Sequence, residues 1–135
     1  MLRYPLLTRY SDYDTKGHVN NAVYLTYFEW ARVQSWQQVA RRGGISEVDI
    51  ADPPLIVAEA RVKYVSPANI GVPLAIEIGV KEIRTKGFSF MYRIVASEEN
   101  DRLVAEGETV QVAYDYSAGR TMPIPPEMRA ALEGM

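Results

Sequence analysis

The chain of 135 residues contains no cysteine, which excludes disulfides, a thiolate nucleophile and thiolate metal sites. It contains a single histidine, His18, so any imidazole chemistry within a protomer must use that residue. One histidine with a nearby carboxylate falls short of the three protein ligands of an ordinary catalytic zinc site, and no metal is expected. No apolar run approaches the roughly 20 residues that span a bilayer, and Met1-Leu2-Arg3-Tyr4-Pro5 does not read as a signal peptide. Charge of one sign is lacking too. Fifteen basic and 17 acidic residues are interleaved to a net −2, which argues against a nucleic-acid surface. The serine-hydrolase elbow Gly-x-Ser-x-Gly, the P-loop and the dinucleotide fingerprint are all absent. What remains is one globular domain over residues 1–135, expected in the cytoplasm with neither nucleic acid nor membrane as partner.

What is present is concentrated in Asp14-Thr15-Lys16-Gly17-His18-Val19-Asn20-Asn21. This run brings a carboxylate, the only imidazole and two carboxamides to the start of a helical pattern. Acid/base groups and amides placed there suit attack on a polarised carbonyl. Each residue has a plainer alternative. Asp14 could cap a turn, His18 could brace the loop, and asparagine is among the best helix N-caps. If Asn20 caps, Asn21 is the first helical residue and its free N–H can hold a carbonyl oxygen. Asp12, two residues before Asp14, suits a structural role bonding loop amides.

The organisation follows from periodicity. Leu2 to Tyr10 reads as a strand. From about Asn21 to Arg42 the pattern is helical and is stopped by Gly43-Gly44. Its apolar residues form no single stripe, as expected of a buried helix. Four strands follow, at Leu55–Val65, Pro73–Thr85, Gly87–Ser97 and Arg102–Tyr116. Their predicted inward sets are Ile56, Ala58, Ala60, Val62 and Tyr64; Leu74, Ile76, Ile78 and Val80; Phe88, Phe90, Tyr92 and Ile94; and Val104, Val110, Val112 and Tyr114. Gly107 reads as a bulge, and a short helix starts at Pro125-Pro126. The expectation is an α+β fold in which a five-stranded antiparallel sheet, its last four strands a meander, wraps one long buried helix. Its edges invite a second copy, giving a homodimer and possibly a homotetramer.

Arg9-Tyr10-Ser11-Asp12-Tyr13-Asp14, Gly17-His18-Val19-Asn20-Asn21, Tyr24, Tyr27, Glu29 and Arg32 together resemble the start of hotdog-fold acyl-CoA thioesterases, in the branch related to 4-hydroxybenzoyl-CoA thioesterase. His18-Val19-Asn20-Asn21 is also similar to the signature of plant acyl-carrier-protein thioesterases. Tyr64, Ser66-Pro67-Ala68 and Gly71 look like the family's Tyr-x-x-Pro-x-x-x-Gly turn, and Pro123-Ile124-Pro125 fits its close. Gly71-Val72 departs from the common Gly-Asp.

The resemblance implies the hotdog fold and hydrolysis of a fatty or aromatic acyl-CoA or acyl-carrier-protein thioester at a dimer interface. No cofactor is needed, coenzyme A being part of the substrate. It implies Asp14 as general base or nucleophile and the Asn21 N–H as oxyanion donor, with His18 and Asn20 positioning water or the leaving group. Tyr24 either packs under the sheet or lines an acyl tunnel. Arg84 and Lys86, flanking a hairpin, either bind coenzyme A phosphates or sit in a solvated turn. Glu29 and Arg32 could pair along the helix, or Glu29 could serve as a second catalytic group. A hotdog dehydratase and a non-catalytic acyl-CoA sensor are the rival readings.

Overall fold

The computed structural model describes all 135 residues. Strand β1 (Leu2–Leu6) leads through a 3-10 turn at Tyr10–Asp12 to the long helix α1 (Val23–Arg42) and the short helix α2 (Glu47–Ala51). Strands β2 (Leu55–Tyr64), β3 (Leu74–Ile83), β4 (Gly87–Ala96) and β5 (Arg102–Asp115) follow, then the two-residue β6 (Arg120–Thr121) and helix α3 (Pro126–Glu133). The sheet is antiparallel in the order β1-β3-β4-β5-β2, with β6 paired to the end of β5. This is the expected α+β arrangement of a curled sheet around one long helix.

Its connectivity corrects the meander. Only β3, β4 and β5 are joined as successive neighbours, whereas β2 crosses to the far edge and pairs with β5. Periodicity reports which face a strand buries but not which neighbour it finds. Strand β1 also ends at Leu6 rather than Tyr10, because a tight turn begins at Arg9: the Asp12 N–H bonds the Arg9 carbonyl, and the Asp12 carboxylate accepts the Arg9 N–H, each at 2.9 Å.

Paired residues of an antiparallel ladder point to the same face, so the register identifies the face against α1. On β3 and β4 it carries Leu74, Ile76, Ile78, Val80, Phe88, Phe90, Tyr92 and Ile94, as expected. On β5 it carries Ala105, Gly107, Thr109, Gln111 and Ala113; of the predicted row, Val110, Val112 and Tyr114 face away, while Val104, at an irregularity in the β4–β5 ladder, is fully buried in the core. On β2 a bulge at Ala58 reverses the alternation, so Val57 rather than Ile56 shares the inner face with Ala60, Val62 and Tyr64. Gly107 itself pairs regularly and is no bulge. The small inner row of β5 makes room for Phe28, whose ring stacks on Tyr92 with centroids 4.1 Å apart and planes 6° from parallel.

Helix α1 ends as its glycines require. Gly44 takes φ +70°, and the Ile45 N–H reaches back to the Ala40 carbonyl at 3.1 Å while the Gly44 N–H bonds that of Arg41 at 3.2 Å. The helix buries Tyr24, Tyr27, Phe28, Ala31, Ser35, Trp36, Val39 and Ala40 against the sheet and α3. Each large apolar side chain so buried is worth about 1.5–3 kcal/mol. Leu25, Trp30 and Val33 remain exposed. The helix therefore has a second apolar side that the rest of the chain leaves exposed.

Candidate active site

The loop before α1 is shaped by its own side chains. Asp14 Oδ1 accepts the Lys16 N–H at 2.9 Å and the His18 N–H at 3.3 Å, while the Asp14 N–H bonds the His18 carbonyl at 2.8 Å. Gly17 takes φ +73° at the turn, a conformation open to glycine at little cost. Backbone bonds from Val19 to Ala68 and from Ile70 to Gly17, at 2.9 and 3.0 Å, pin the loop to the segment after β2. Asp14 Oδ2 has no hydrogen-bond partner in the chain.

Asp12 is the loop's anchor. It is only 2% exposed. Its carboxylate takes the Arg9 N–H, the Arg9 guanidinium at 3.3 Å and the Tyr27 hydroxyl at 2.9 Å. Its backbone carbonyl accepts the Asn20 N–H at 2.8 Å. Burial first, then the bond to Asp12, raise the Tyr27 hydroxyl well above the usual tyrosine range, so it stays a donor. The structural role read for Asp12 is the one it plays.

At the helix entrance Asn20 Oδ1 accepts the Ala22 N–H at 2.9 Å and the Asn20 carbonyl accepts the Val23 N–H at 3.0 Å. Its carboxamide oxygen thus shapes the turn before the helix rather than capping it, since the N-cap is Ala22 with no side-chain cap bond, and Asn20 is not among the residues lining the adjacent cavity. Helix α1 begins at Val23, two residues after the predicted start. Asn21 occupies the turn before it, and its N–H has no partner. The Tyr64 hydroxyl donates to the Asn21 carbonyl at 2.9 Å and fixes that residue against β2.

These elements enclose an open cavity of about 410 Å³ lined by Asp14, His18, Val19, Asn21, Tyr24, Tyr64 and the Val65-Ser66-Pro67 segment. The His18 side chain lines it without a hydrogen-bond partner. Tyr24 is buried and packs edge-on against Tyr64 at 5.4 Å, and burial raises its hydroxyl pKa. Arg102 braces the far wall by donating to Ser66 Oγ and to the Pro67 carbonyl. The cavity thus combines a half-free carboxylate, an imidazole and an unpartnered N–H at a helix entrance. That set can activate water or attack a carbonyl carbon while a donor receives the carbonyl oxygen.

Four predicted site residues, Asp14, His18, Asn21 and Tyr24, are brought together here. Arg84 and Lys86 are not. They line a separate cavity of about 740 Å³ with Glu59, Arg61, Lys81 and Glu108, on the outer face of the sheet. Arg84 is engaged by Glu82 at 3.1 Å. Glu29 and Arg32 form no ion pair; Arg32 instead donates to the Tyr92 hydroxyl at 3.2 Å. Ser66 and Arg102 were not singled out as site residues. The Tyr-x-x-Pro-x-x-x-Gly turn marks the first, but nothing local marks Arg102, which arrives from β5. No group of three or more His, Cys, Asp or Glu side chains is placed to hold a metal ion, and no helix is long and apolar enough to cross a membrane.

A sequence profile of the thioesterase-like superfamily matches residues 8–132. The acyl-CoA thioester hydrolase YbgC of Escherichia coli O6:H1 is 27% identical over 117 residues, 85% of this chain and 83% of that protein. The long-chain acyl-CoA thioesterase FadM of Escherichia coli K12 is 24% identical over 122 residues, 90% of this chain and 89% of that one. Among solved structures, a thioesterase complexed with coenzyme A and Zn from Thermus thermophilus superposes with a TM-score of 0.83 at 26% identity, covering 98% of this chain and 91% of the other.

Proposed function

The chain belongs to the thioesterase-like superfamily, and on that premise we propose that it hydrolyses an acyl-CoA thioester to the free acid and coenzyme A using the Asp14 carboxylate. The single observation that carries the residue assignment is the meeting of Asp14, its Oδ2 unpartnered, with the unpartnered Asn21 N–H in one cavity. The thioester carbonyl oxygen is received by that N–H, helped by the positive end of α1. A donor so placed lowers the barrier by about 3–4 kcal/mol.

Asp14 acts in one of two ways. As base it takes a proton from water while the water oxygen bonds to the carbonyl carbon; the C–S bond then breaks, and the thiolate takes the proton back. As nucleophile it bonds to that carbon itself, expels the thiolate, and the resulting anhydride is split by water. Both use the same oxygen. His18 lines the cavity where it can hold the water or the departing sulfur, and Asn20 contributes by shaping the turn before the helix. Tyr24 and Tyr64 form the wall that the acyl group passes.

The cavity is open because, in this reading, half of it belongs to a second copy. Strand β2 is a ten-residue edge with Ile56, Val57 and Tyr64 exposed, whereas the other edge, β1, has five residues and includes Pro5. The long apolar edge is the one suited to pairing. A two-fold partner adding its own β2 there would cover that edge and the exposed side of α1.

The test is thiol release from acyl-CoAs of varied chain length and aromaticity. Asp14→Asn keeps the shape and removes the charge, and kcat should fall by at least about 100-fold. A loss of only a few-fold would remove Asp14 from the chemistry. Tight binding of acyl-CoA with no release by the wild type would mean a sensor instead. Single turnover in ¹⁸O-water separates the two roles, since only the nucleophile acquires label in Asp14.

A further inference from the structure

A second cavity, of about 200 Å³, lies between α1, α2 and the inner face of the sheet. Its walls are mostly apolar, with Val33, Trp36, Leu55, Val57, Phe88 and Phe90 among them; Glu29, Gln37, Arg32 and Gln111 are its polar lining, and the last two belong to one buried line of hydrogen bonds. Arg32 is half-buried and has no carboxylate partner; its one contact is the Tyr92 hydroxyl at 3.2 Å. Gln111 is 2% exposed, and its amide oxygen has no partner.

The two are joined by a chain of hydrogen bonds, Arg32 to Tyr92, Tyr92 to Thr109 at 2.6 Å, and Thr109 to Gln111. A guanidinium can only donate, which sets the direction of the chain. Tyr92 accepts from Arg32 and passes its own hydrogen to Thr109. Thr109 then has a hydrogen to give and needs an acceptor. Drawn with Nε2 toward Thr109, the Gln111 amide supplies a second donor instead, and one hydroxyl hydrogen is stranded. Exchanging the amide's two ends, which have the same shape, gives the Thr109 hydrogen an acceptor and runs the line unbroken from Arg32 to Gln111. It also leaves the Gln111 –NH2 as the unpartnered end. The cavity floor then offers donors only: a guanidinium and an amide.

An alkyl tail filling this space would expel water from both groups and give them nothing back. A carboxylate would satisfy both at once, with charge-assisted bonds to Arg32. Glu29 also lines the cavity, but it sits on the exposed side of α1 and forms no ion pair with Arg32. The volume is below the roughly 300–1,000 Å³ of drug-sized ligand sites, so the acyl group is short.

Within one protomer Asp14 and this cavity lie toward opposite ends of β2, which spans about 30 Å as an extended strand. In a two-fold pairing of β2 over its whole length, Tyr64 of one copy comes beside Leu55 and Ile56 of the other. The cavity of one protomer then adjoins the Asp14 site of its partner. Resting on the dimeric thioesterase reading above, we propose that this cavity receives the far end of the acyl group and that Arg32 and Gln111 select a terminal carboxylate. The substrate class is the coenzyme A monothioester of a short dicarboxylic acid.

The test compares kcat/KM of the full-length protein for adipoyl-CoA and hexanoyl-CoA, equal in carbon number, after subtraction of spontaneous thiol release. The wild type should prefer adipoyl-CoA by about 10- to 100-fold. Arg32→Met should bring the ratio near one, chiefly by raising KM for adipoyl-CoA, and Arg32→Lys should restore part of it. Gln111→Leu should lower it less. Glu29→Gln, which removes an opposing charge, should raise it. A ratio taken on one preparation is insensitive to the fraction folded. A wild-type ratio near one, or a ratio unmoved by Arg32→Met, overturns the inference; if Asp14→Asn still abolishes release, the thioesterase reading stands. No release from any acyl-CoA overturns both.

Discussion

Adding one methyl group at Gly107 should disturb both the core and the site. Gly107 lies opposite Val62 on β2 and Tyr92 on β4. A Cβ there would meet Phe28 Cε2 at 2.5 Å and Cζ at 2.8 Å, with the Arg61 carbonyl oxygen nearer still. Neither obstacle is the free end of a flexible side chain. The ring is fully buried and stacked on Tyr92, and the carbonyl belongs to the strand that carries Tyr64 to the Asn21 carbonyl. Overpacking costs about 1–3 kcal/mol, and two rigid neighbours place this case in the upper half of that range. Disturbing the aromatic stack adds about 0.5–1.5 kcal/mol. The total is about 2.5–4.5 kcal/mol, which at about 4 °C per kcal/mol for a chain of this size lowers Tm by about 10–18 °C. Thermal unfolding at matched protein concentration reads it, since association makes Tm concentration-dependent. In a Phe28→Leu background the same substitution should cost at least about 1 kcal/mol less, a coupling that a double-mutant cycle measures. A Tm for Gly107→Ala within about 2 °C of wild type, or strict additivity in the cycle, would refute the packing argument.

Three further outcomes are expected. Because burial and the bond to Asp12 hold the Tyr27 proton above the ordinary tyrosine value of about 10, folding favours its neutral form. That stability is complete below a pH of about 10 and is lost as pH rises through the folded value. Urea midpoints from about pH 8 to 11 should therefore fall more steeply for wild type than for Tyr27→Phe; parallel curves would contradict it. At neutral pH, Tyr27→Phe should cost about 1–3 kcal/mol by leaving the buried Asp12 short of a donor. If two copies pair through β2 as proposed, Val57→Lys, which puts a charge on that edge and in the wall of the second cavity, should convert the dimer to monomers in sedimentation, the circular dichroism of the protomer being kept. A variant that sediments as a dimer with full activity would exclude β2 as the interface.

That Asp14, His18 and Asn21 come together in one loop before the helix was legible because the signals are local. Asp14, His18 and Asn21 lie within eight residues, and a chain that must turn into a helix after them has few ways to arrange them. Asn20 was expected as the N-cap, but α1 starts at Val23 with Ala22 as its N-cap; the Asn20 side chain instead bonds the Ala22 N–H in the turn before the helix. The inward rows of β3 and β4 followed from alternation alone. Failure came wherever a distant element decided. Val110 and Val112 of β5 look like a core row, yet the row beside them against α1 is small and polar, because Phe28 needs the space above Gly107. The reversal at Ala58 is a bulge that a one-dimensional alternation cannot show. That Arg84 and Lys86 line a cavity apart from Asp14 within the chain was not legible, because the curl of the strands sets which face they occupy.

The sequence by itself determined the classes of side chain available for chemistry, the single imidazole, the helix that follows the loop and the four strands after it. These are short-range matters of composition, capping and period. The tertiary structure decided that β2 crosses to the far edge, bringing Tyr64 to the Asn21 carbonyl and the Ser66-Pro67 wall to Asp14. It also decided that Arg32, Tyr92, Thr109 and Gln111, spread over 80 positions of chain, form one hydrogen-bonded line beneath a cavity. Such groupings rest on strand order and register. Those are fixed by the packing of the whole core, and no window of neighbouring residues contains them.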